Sequence, residues 1–310
     1  MMKLPYFDAH CDTAVPVHFE KSSLRRNAYH LDLERLRAFA PCAQVFAVCV
    51  YGDATGARQM ALAEAVFSTL LEQLAANADI VRLCRGAADI RAAAAEGKIA
   101  ALLSMEGMDQ LDCSLERLQR AYDRGLRIVH LTWNRDNALS GAAMGDRSGL
   151  TAQGREFVTA AQAMGVVLDL SHLSDQGFWD VLETAKKPVL AGHSNSRALC
   201  DFPRNLTDEQ FSALVRTGGV AGLNFCTDFL ALGRDVEAVV AHAAHWLSLG
   251  GEKAVCLGGD LDGIPELPKG MEGVQSLDLV YEAMLRQNWS EDLVRDIFYN
   301  NLMDFMERAL

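Results

Sequence analysis

The sequence is marked first by what it lacks. Its eight cysteines, Cys11, Cys42, Cys49, Cys84, Cys113, Cys200, Cys226 and Cys256, are scattered, and no C-x-x-C pair occurs. In a chain of 310 residues they read as reduced core residues, not as a disulfide frame. No cluster of Lys and Arg stands out in a chain of net charge −12 and pI about 5.1, so nucleic acid is not an expected partner. No apolar run reaches the roughly 18 residues that suggest a membrane span. No charged-then-apolar leader precedes the first apolar run at residues 4–7. A cytoplasmic location without a membrane partner is therefore the expectation. No G-x-G-x-x-G follows that first run, which weakens a dinucleotide reading. There is no linker, internal repeat or low-complexity tract, so one domain over residues 1–310 is expected.

What is present is a globular composition, 50% hydrophobic and 23% charged, with mean hydropathy +0.04. Eight short apolar runs alternate with longer amphipathic stretches: residues 4–7, 43–50, 99–105, 128–132, 166–170, 189–191, 220–224 and 254–257. Runs this continuously apolar predict strands buried on both faces, as in a parallel sheet. The stretches between them read as helices. Phe67, Leu70, Leu71 and Leu74 make an i, i+3, i+4, i+7 stripe. Ser114, Thr151, Ser174 and Ser290 are placed as N-caps, and Thr207 to Gln210 matches a capping box. Eight strand–helix units in series predict an α/β fold, a single (β/α)8 TIM barrel with a C-terminal helix. An open doubly wound sheet is the second choice. Two long connections, residues 134–150 and 263–277, follow strands on the face where barrel active sites form and are candidate lids.

The ends of the runs share a chemistry. The first passes into Asp8-Ala9-His10-Cys11-Asp12; regular alternation along a strand would turn Asp8, His10 and Asp12 to one side and Ala9 and Cys11 to the other. The third run ends in Ser104-Met105-Glu106-Gly107, the fifth in Asp169-Leu170-Ser171-His172, the sixth in Gly192-His193-Ser194 and the eighth in Gly259-Asp260-Leu261-Asp262. In such a barrel these ends form one rim. Neutral imidazole and carboxylate suit Zn2+ and similar ions. The set holds more ligands than a single catalytic zinc uses, and a carboxylate such as Glu106 can bridge two ions about 3.5–4 Å apart. The other histidines read otherwise: His242 and His245 lie mid-helix, His18 and His30 gather no constellation, and His130 is read as a barrel-core residue or one behind the ligands.

At this point the motifs FDAHCDT (7–13), SMEG (104–107), LDLSH (168–172), GHSNSRALCDFPRN (192–205) and GGDLDG (258–263) resemble those of the membrane (renal) dipeptidase family of zinc peptidases, in its bacterial soluble form. The resemblance spans essentially the whole chain. It implies a metallo-dipeptidase that hydrolyses short dipeptides with a hydroxide bridging two zinc ions. His10 and Asp12 would hold one zinc, His172 and His193 the other, and Glu106 would bridge them. Arg204 would bind the terminal carboxylate, and Asp260 would shuttle the proton. The resemblance further suggests tolerance of a D-residue at the C-terminal position, and a homodimer. Asp8, one strand step deeper, is read as a supporting acid and Cys11 as structural.

One departure matters. The family's fourth strand often ends Leu-Thr-His, whereas here Leu131-Thr132-Trp133 is followed by Asn134. Trp133 can donate a hydrogen bond but cannot carry a proton; Asn134 and Asn137 are alternative donors. Two other functions stay open on the residues alone: a binuclear-metal amidohydrolase acting on another amide or ester, and a metal-containing protein that binds a ligand without turnover.

Overall fold

Eight strands close on themselves. In this computed structural model, which describes residues 3–52, 54–231 and 233–310, the strands are β1 (Tyr6–Cys11), β2 (Cys42–Val48), β3 (Val81–Leu83), β4 (Ile99–Glu106), β5 (Leu126–His130), β6 (Val167–Asp169), β7 (Leu190–Ser194), β8 (Val220–Leu223) and β9 (Val255–Leu257). Neighbours pair in parallel, and the β2–β4 pairing closes the ring. The eight barrel strands fall on the eight apolar runs, and the helices between them complete a (β/α)8 barrel. The short β3 was not expected. It pairs with residues 99–101 of β4, on the edge that β5 takes from residue 103 onward, and so lies outside the ring. Only Val81 of its three residues is buried, which leaves no apolar run to betray it.

The helix boundaries follow local chemistry. The hydroxyls of Ser114, Thr151, Ser174, Thr207 and Ser290 accept the backbone N–H groups of Arg117, Gly154, Gly177, Gln210 and Leu293. Each such cap is worth about 1 kcal/mol. Thr207 and Gln210 bond reciprocally, as a capping box requires. The helix after β2, Gly56–Ala76, buries Phe67, Leu70 and Leu74 of the expected stripe. The C-terminal segment runs from Glu291–Arg295 through one π turn, Asp296–Asn300, into Asn301–Ala309. Its Tyr299, Leu302, Phe305 and Met306 pack on the lumen residues Phe7, Val45, Leu102, Ile128 and Val167, near the starts of the strands. The opposite end, where the strands finish, is left for the site. No helix among the described residues is long and apolar enough to cross a membrane.

Two bulges decide which side chains enter the lumen. In β1, Asp8 pairs with Gln44 and Cys11 with Phe46, so β1 carries one residue more than β2. The expected alternation therefore breaks. Ala9 belongs to the lumen cluster, His10 is aimed inward beside it, and Asp8 turns to the outer layer with Gln44. The prediction that Asp8 shares a side with His10 and Asp12 is corrected by that extra residue. In β7 the same irregularity lies between Ala191 and Ser194, around Gly192 and His193. Bulges of this kind re-aim side chains beside active sites.

Candidate active site

The C-terminal strand ends bring the expected residues together. His10 ends β1 with Asp12 just beyond, Glu106 is the last residue of β4, His172 follows β6, His193 lies in the β7 bulge and Asp260 follows β9. All six are buried. His172 (φ 72°) and Asp260 (φ 58°) take left-handed backbone conformations. For residues other than glycine these cost about 1–3 kcal/mol each and persist only where the surroundings enforce them.

The two oxygens of Glu106 face two different groups. Oε2 lies 3.7 Å from His10 Nε2, which is itself 3.5 Å from Asp12 Oδ2 and 3.9 Å from Asp260 Oδ1. Oε1 lies 2.7 Å from His172 Nε2 and 3.3 Å from His193 Nε2, and those two nitrogens are 2.9 Å apart. Burial, joined by Arg204 for His172 and by His10 for His193, holds these two imidazoles below the usual histidine range, His172 at about 3. They are neutral at pH 7. His172 Nδ1 lies 2.8 Å from the acceptor Asn134 Oδ1, which can take the ring proton in the Nδ1–H tautomer. In that tautomer the Nε2 lone pair faces an anionic oxygen and another ring nitrogen.

His10 shows the complementary sign. Burial alone would depress it, but Glu106, Asp12 and Asp260 push it up to about 10. Glu106 is held well below the usual carboxylate range: burial opposes this, and His10 and His172 outweigh it. Burial, against the opposing His10 and with Asp12 and Glu106 adding to it, raises Asp260 to about 7. His10 Nδ1 and Nε2, Asp12 Oδ1, Glu106 Oε2 and His193 Nδ1 are buried without hydrogen-bond partners. Converging lone pairs, surplus negative charge and orphaned polar atoms are what a pair of divalent cations would resolve, so the donor set fits metal.

The cavity above these groups has a volume of about 290 Å³. Arg204 opens into it from the segment after β7, with Trp133 and Asn134 from the loop after β5 and Ile264 and Pro265 from the loop after β9. Both long connections thus contribute wall. Arg204 is 5% exposed, and among the described residues no carboxylate lies within 4.0 Å of it; it reaches the His193 carbonyl at 3.5 Å and stands 5.6 Å from the Phe229 ring centroid. Asn137 is not among the residues that line the cavity. One of its amide N–H groups is given to the Leu131 carbonyl and its oxygen accepts from Leu139 and Ser140, so it shapes the loop.

Two residues escaped the sequence reading. Tyr51, after β2, lines the cavity, lies against the Asp12 carboxylate and packs on Trp133, ring centroids 5.7 Å apart. Asn224, after β8, donates to Asp260 Oδ2 at 3.1 Å and to the His193 carbonyl at 3.3 Å. Neither sits in a patterned motif, so only proximity reveals them. The remaining histidines have structural partners. His130 Nε2 faces Asp169 Oδ2 at 3.1 Å below the cavity, His242 Nδ1 accepts from Ser196 N–H, His245 pairs with Asp208, His18 with Thr69 and His30 with Asp262.

Known proteins resemble this chain throughout its length. An uncharacterized dipeptidase of Schizosaccharomyces pombe is 35% identical over 218 residues, 67% of this chain and 52% of that protein; the chain thus spans about half the length of this relative. An uncharacterized protein from the pqqA 5' region of Klebsiella pneumoniae is 33% identical over 254 residues, 77% of this chain and 93% of that one. Among solved structures, a metallo peptidase of Rhodobacter sphaeroides, bound to a phosphinate mimic of the dipeptide L-Ala-D-Ala, superposes with a TM-score of 0.92 at 28% identity, covering 99% of this chain and 100% of its own. The profile of the membrane dipeptidases, peptidase family M19, matches residues 1–309, and the chain belongs to that family.

Proposed function

We propose that this protein is a zinc-dependent dipeptidase whose two ions are held by His10 and Asp12 on one side and by His172 and His193 on the other, with Glu106 shared between them. The split of the Glu106 oxygens between the two groups supports the sharing. When bound, two zinc ions supply a water acidified towards neutrality and a Lewis acid for the scissile carbonyl.

Arg204 is the observation that carries a peptidase over other metal-dependent hydrolases. A buried guanidinium without a carboxylate partner calls for an anion, and its planar fork suits the free α-carboxylate of a peptide. Anchored there, the scissile bond of a two-residue substrate reaches Glu106 and His172 in the same small cavity. Asp260 Oδ1 takes the proton of the attacking water and passes it to the leaving amine, while Asn224 holds Oδ2. The Trp133 indole N–H and the Asn134 amide N–H are the available donors to the carbonyl oxygen. The Rhodobacter relative's L-Ala-D-Ala mimic supports acceptance of a D-residue at the C-terminal position. Barrels that act on phosphotriesters or cyclic amides commonly bridge their metals with a carboxylated Lys after the fourth strand; here residues 126–134 hold no Lys.

The test is a library of L-Xaa-D-Xaa and L-Xaa-L-Xaa dipeptides, free and C-terminally amidated, with and without Zn2+. Zinc-dependent cleavage of the free forms is expected. Activity in metal-free protein, or equal cleavage of amidated peptides, overturns the reading.

A further inference from the structure

Two buried aspartates outside the proposed ligand set make the same kind of contact. Asp8 accepts the backbone N–H of His10, two residues on, at 2.9 Å, and the N–H of Gly259 on the neighbouring strand end at 2.8 Å. Asp169 accepts the N–H of Ser171, two residues on, at 2.9 Å, and the N–H of Gly192 in the neighbouring strand, also at 2.9 Å. The registers are equivalent. Asp8 pairs with Leu257 and Asp169 with Leu190, and the gripped glycine lies two residues beyond each leucine.

Each gripped amide belongs to a site residue or directly precedes one. His10 is itself gripped, Gly259 precedes Asp260, Ser171 precedes His172 and Gly192 precedes His193. Asp260 and His172 are the two site residues in left-handed conformations, and His10 and His193 sit in the two bulges. Strained backbone of this kind needs contacts that over-determine it. The fit is close: a Cβ on residue 192 would come within 2.1 Å of Asp169 Oδ2, so the carboxylate in this position leaves room only for glycine there.

The oxygens are used differently. Asp8 spends both, Oδ1 on His10 and Oδ2 on Gly259. Asp169 makes both backbone bonds through Oδ1, and its Oδ2 faces His130 Nε2. An asparagine at 8 loses an acceptor and sets an amide N–H against the Gly259 N–H. An asparagine at 169 keeps Oδ1 and turns its amide N–H toward His130, whose Nδ1 faces the Met105 carbonyl at 3.5 Å and can carry the ring proton.

We propose that Asp8 and Asp169 are clamps that set the positions of the metal-binding and proton-transferring side chains, the Asp8 clamp needing both carboxylate oxygens and the Asp169 clamp only one. Both are positioning residues, and the proposal rests on the reading of His10, Asp12, Glu106, His172 and His193 as metal ligands.

The test compares Asp8→Asn, Asp169→Asn, Asp169→Ala and wild type by competitive Zn2+ titration and by the absorption spectrum of the Co2+-substituted protein. Circular dichroism checks that each is folded. Partners behind metal ligands are typically worth about 10–100-fold in affinity. Asp8→Asn and Asp169→Ala are expected to weaken Zn2+ by that amount and alter the Co2+ bands, while Asp169→Asn stays within about threefold of wild type. Unchanged affinity and spectrum in Asp8→Asn and Asp169→Ala overturn the clamps, as does Asp169→Asn behaving like Asp169→Ala. If one variant does not fold, the comparison at the other position decides. Wild type that binds no zinc refutes the underlying ligand reading, a separate outcome.

Discussion

Asn134 Oδ1 lies 2.8 Å from His172 Nδ1, a contact that ties a loop residue after β5 to an imidazole after β6. It can accept the ring proton at Nδ1, and in that tautomer the Nε2 lone pair faces Glu106 and is free for a metal. Asn134→Ala frees the ring to turn and to move its proton. It is expected to weaken the second zinc by about 10–100-fold and leave the first nearly unchanged. Chelator competition that resolves the two binding steps measures this; equal loss at both sites contradicts it.

Glu106 faces both groups of ligands, one oxygen toward each. Glu106→Gln removes the negative charge between the two groups and replaces one oxygen with an amide nitrogen that has no lone pair free for a metal. Elemental analysis is expected to give about two zinc ions per wild-type chain and fewer than one in the variant, with activity lost in parallel. A variant with full metal and full turnover removes Glu106 as the shared ligand.

Arg204→Ala removes the buried cation that anchors the substrate carboxylate. A charge-assisted hydrogen bond contributes about 1.5–3 kcal/mol, so KM for free dipeptides is expected to rise about 10–100-fold. Arg204→Lys restores the charge without the fork and should recover only part of the loss. Steady-state kinetics on free and amidated dipeptides check this, the amidated forms being expected to show little change.

His10 makes the metal-free protein sensitive to alkali. Burial works against its proton, but Glu106, Asp12 and Asp260 raise it to about 10, above the unfolded value near 6.5. A raised histidine stabilises the fold fully below its unfolded pKa, and that contribution is lost as pH rises through the folded one. Between pH 7 and 10 the Tm of metal-free protein is expected to fall. Zinc, by taking the place of the imidazole proton, is expected to flatten the curve. Thermal unfolding of both forms across that range decides, and a metal-free Tm that holds level or rises is the contrary result.

Much of the barrel was legible because its strands are buried on both faces and read as unbroken apolar runs. The caps were legible because a hydroxyl three residues before a free N–H is a local arrangement, as at Thr207 and Gln210. β3 was not, since Arg82 and Leu83 are only half-buried. The side that Asp8 takes was not legible: a bulge is a property of the pairing between β1 and β2, and no residue of β1 alone announces it. The loop contacts of Asn137 were not legible either, because they join its amide to residues 131, 139 and 140 through the folded loop.

The sequence by itself determined the alternation of strands and helices, the placing of His10, Glu106, His172, His193 and Asp260 at strand ends, and the presence of Arg204 in a long motif after the sixth run. Those follow from burial, capping and spacing, which act over a few residues. Only the tertiary structure decided that the Glu106 oxygens part between two groups, that Tyr51 lines the cavity and Asn224 holds Asp260, and that Asp8 and Asp169 grip glycines on other strands. These contacts join residues as much as 251 positions apart, as Asp8 and Gly259 are. Closure of the barrel is what brings them within a hydrogen bond of each other.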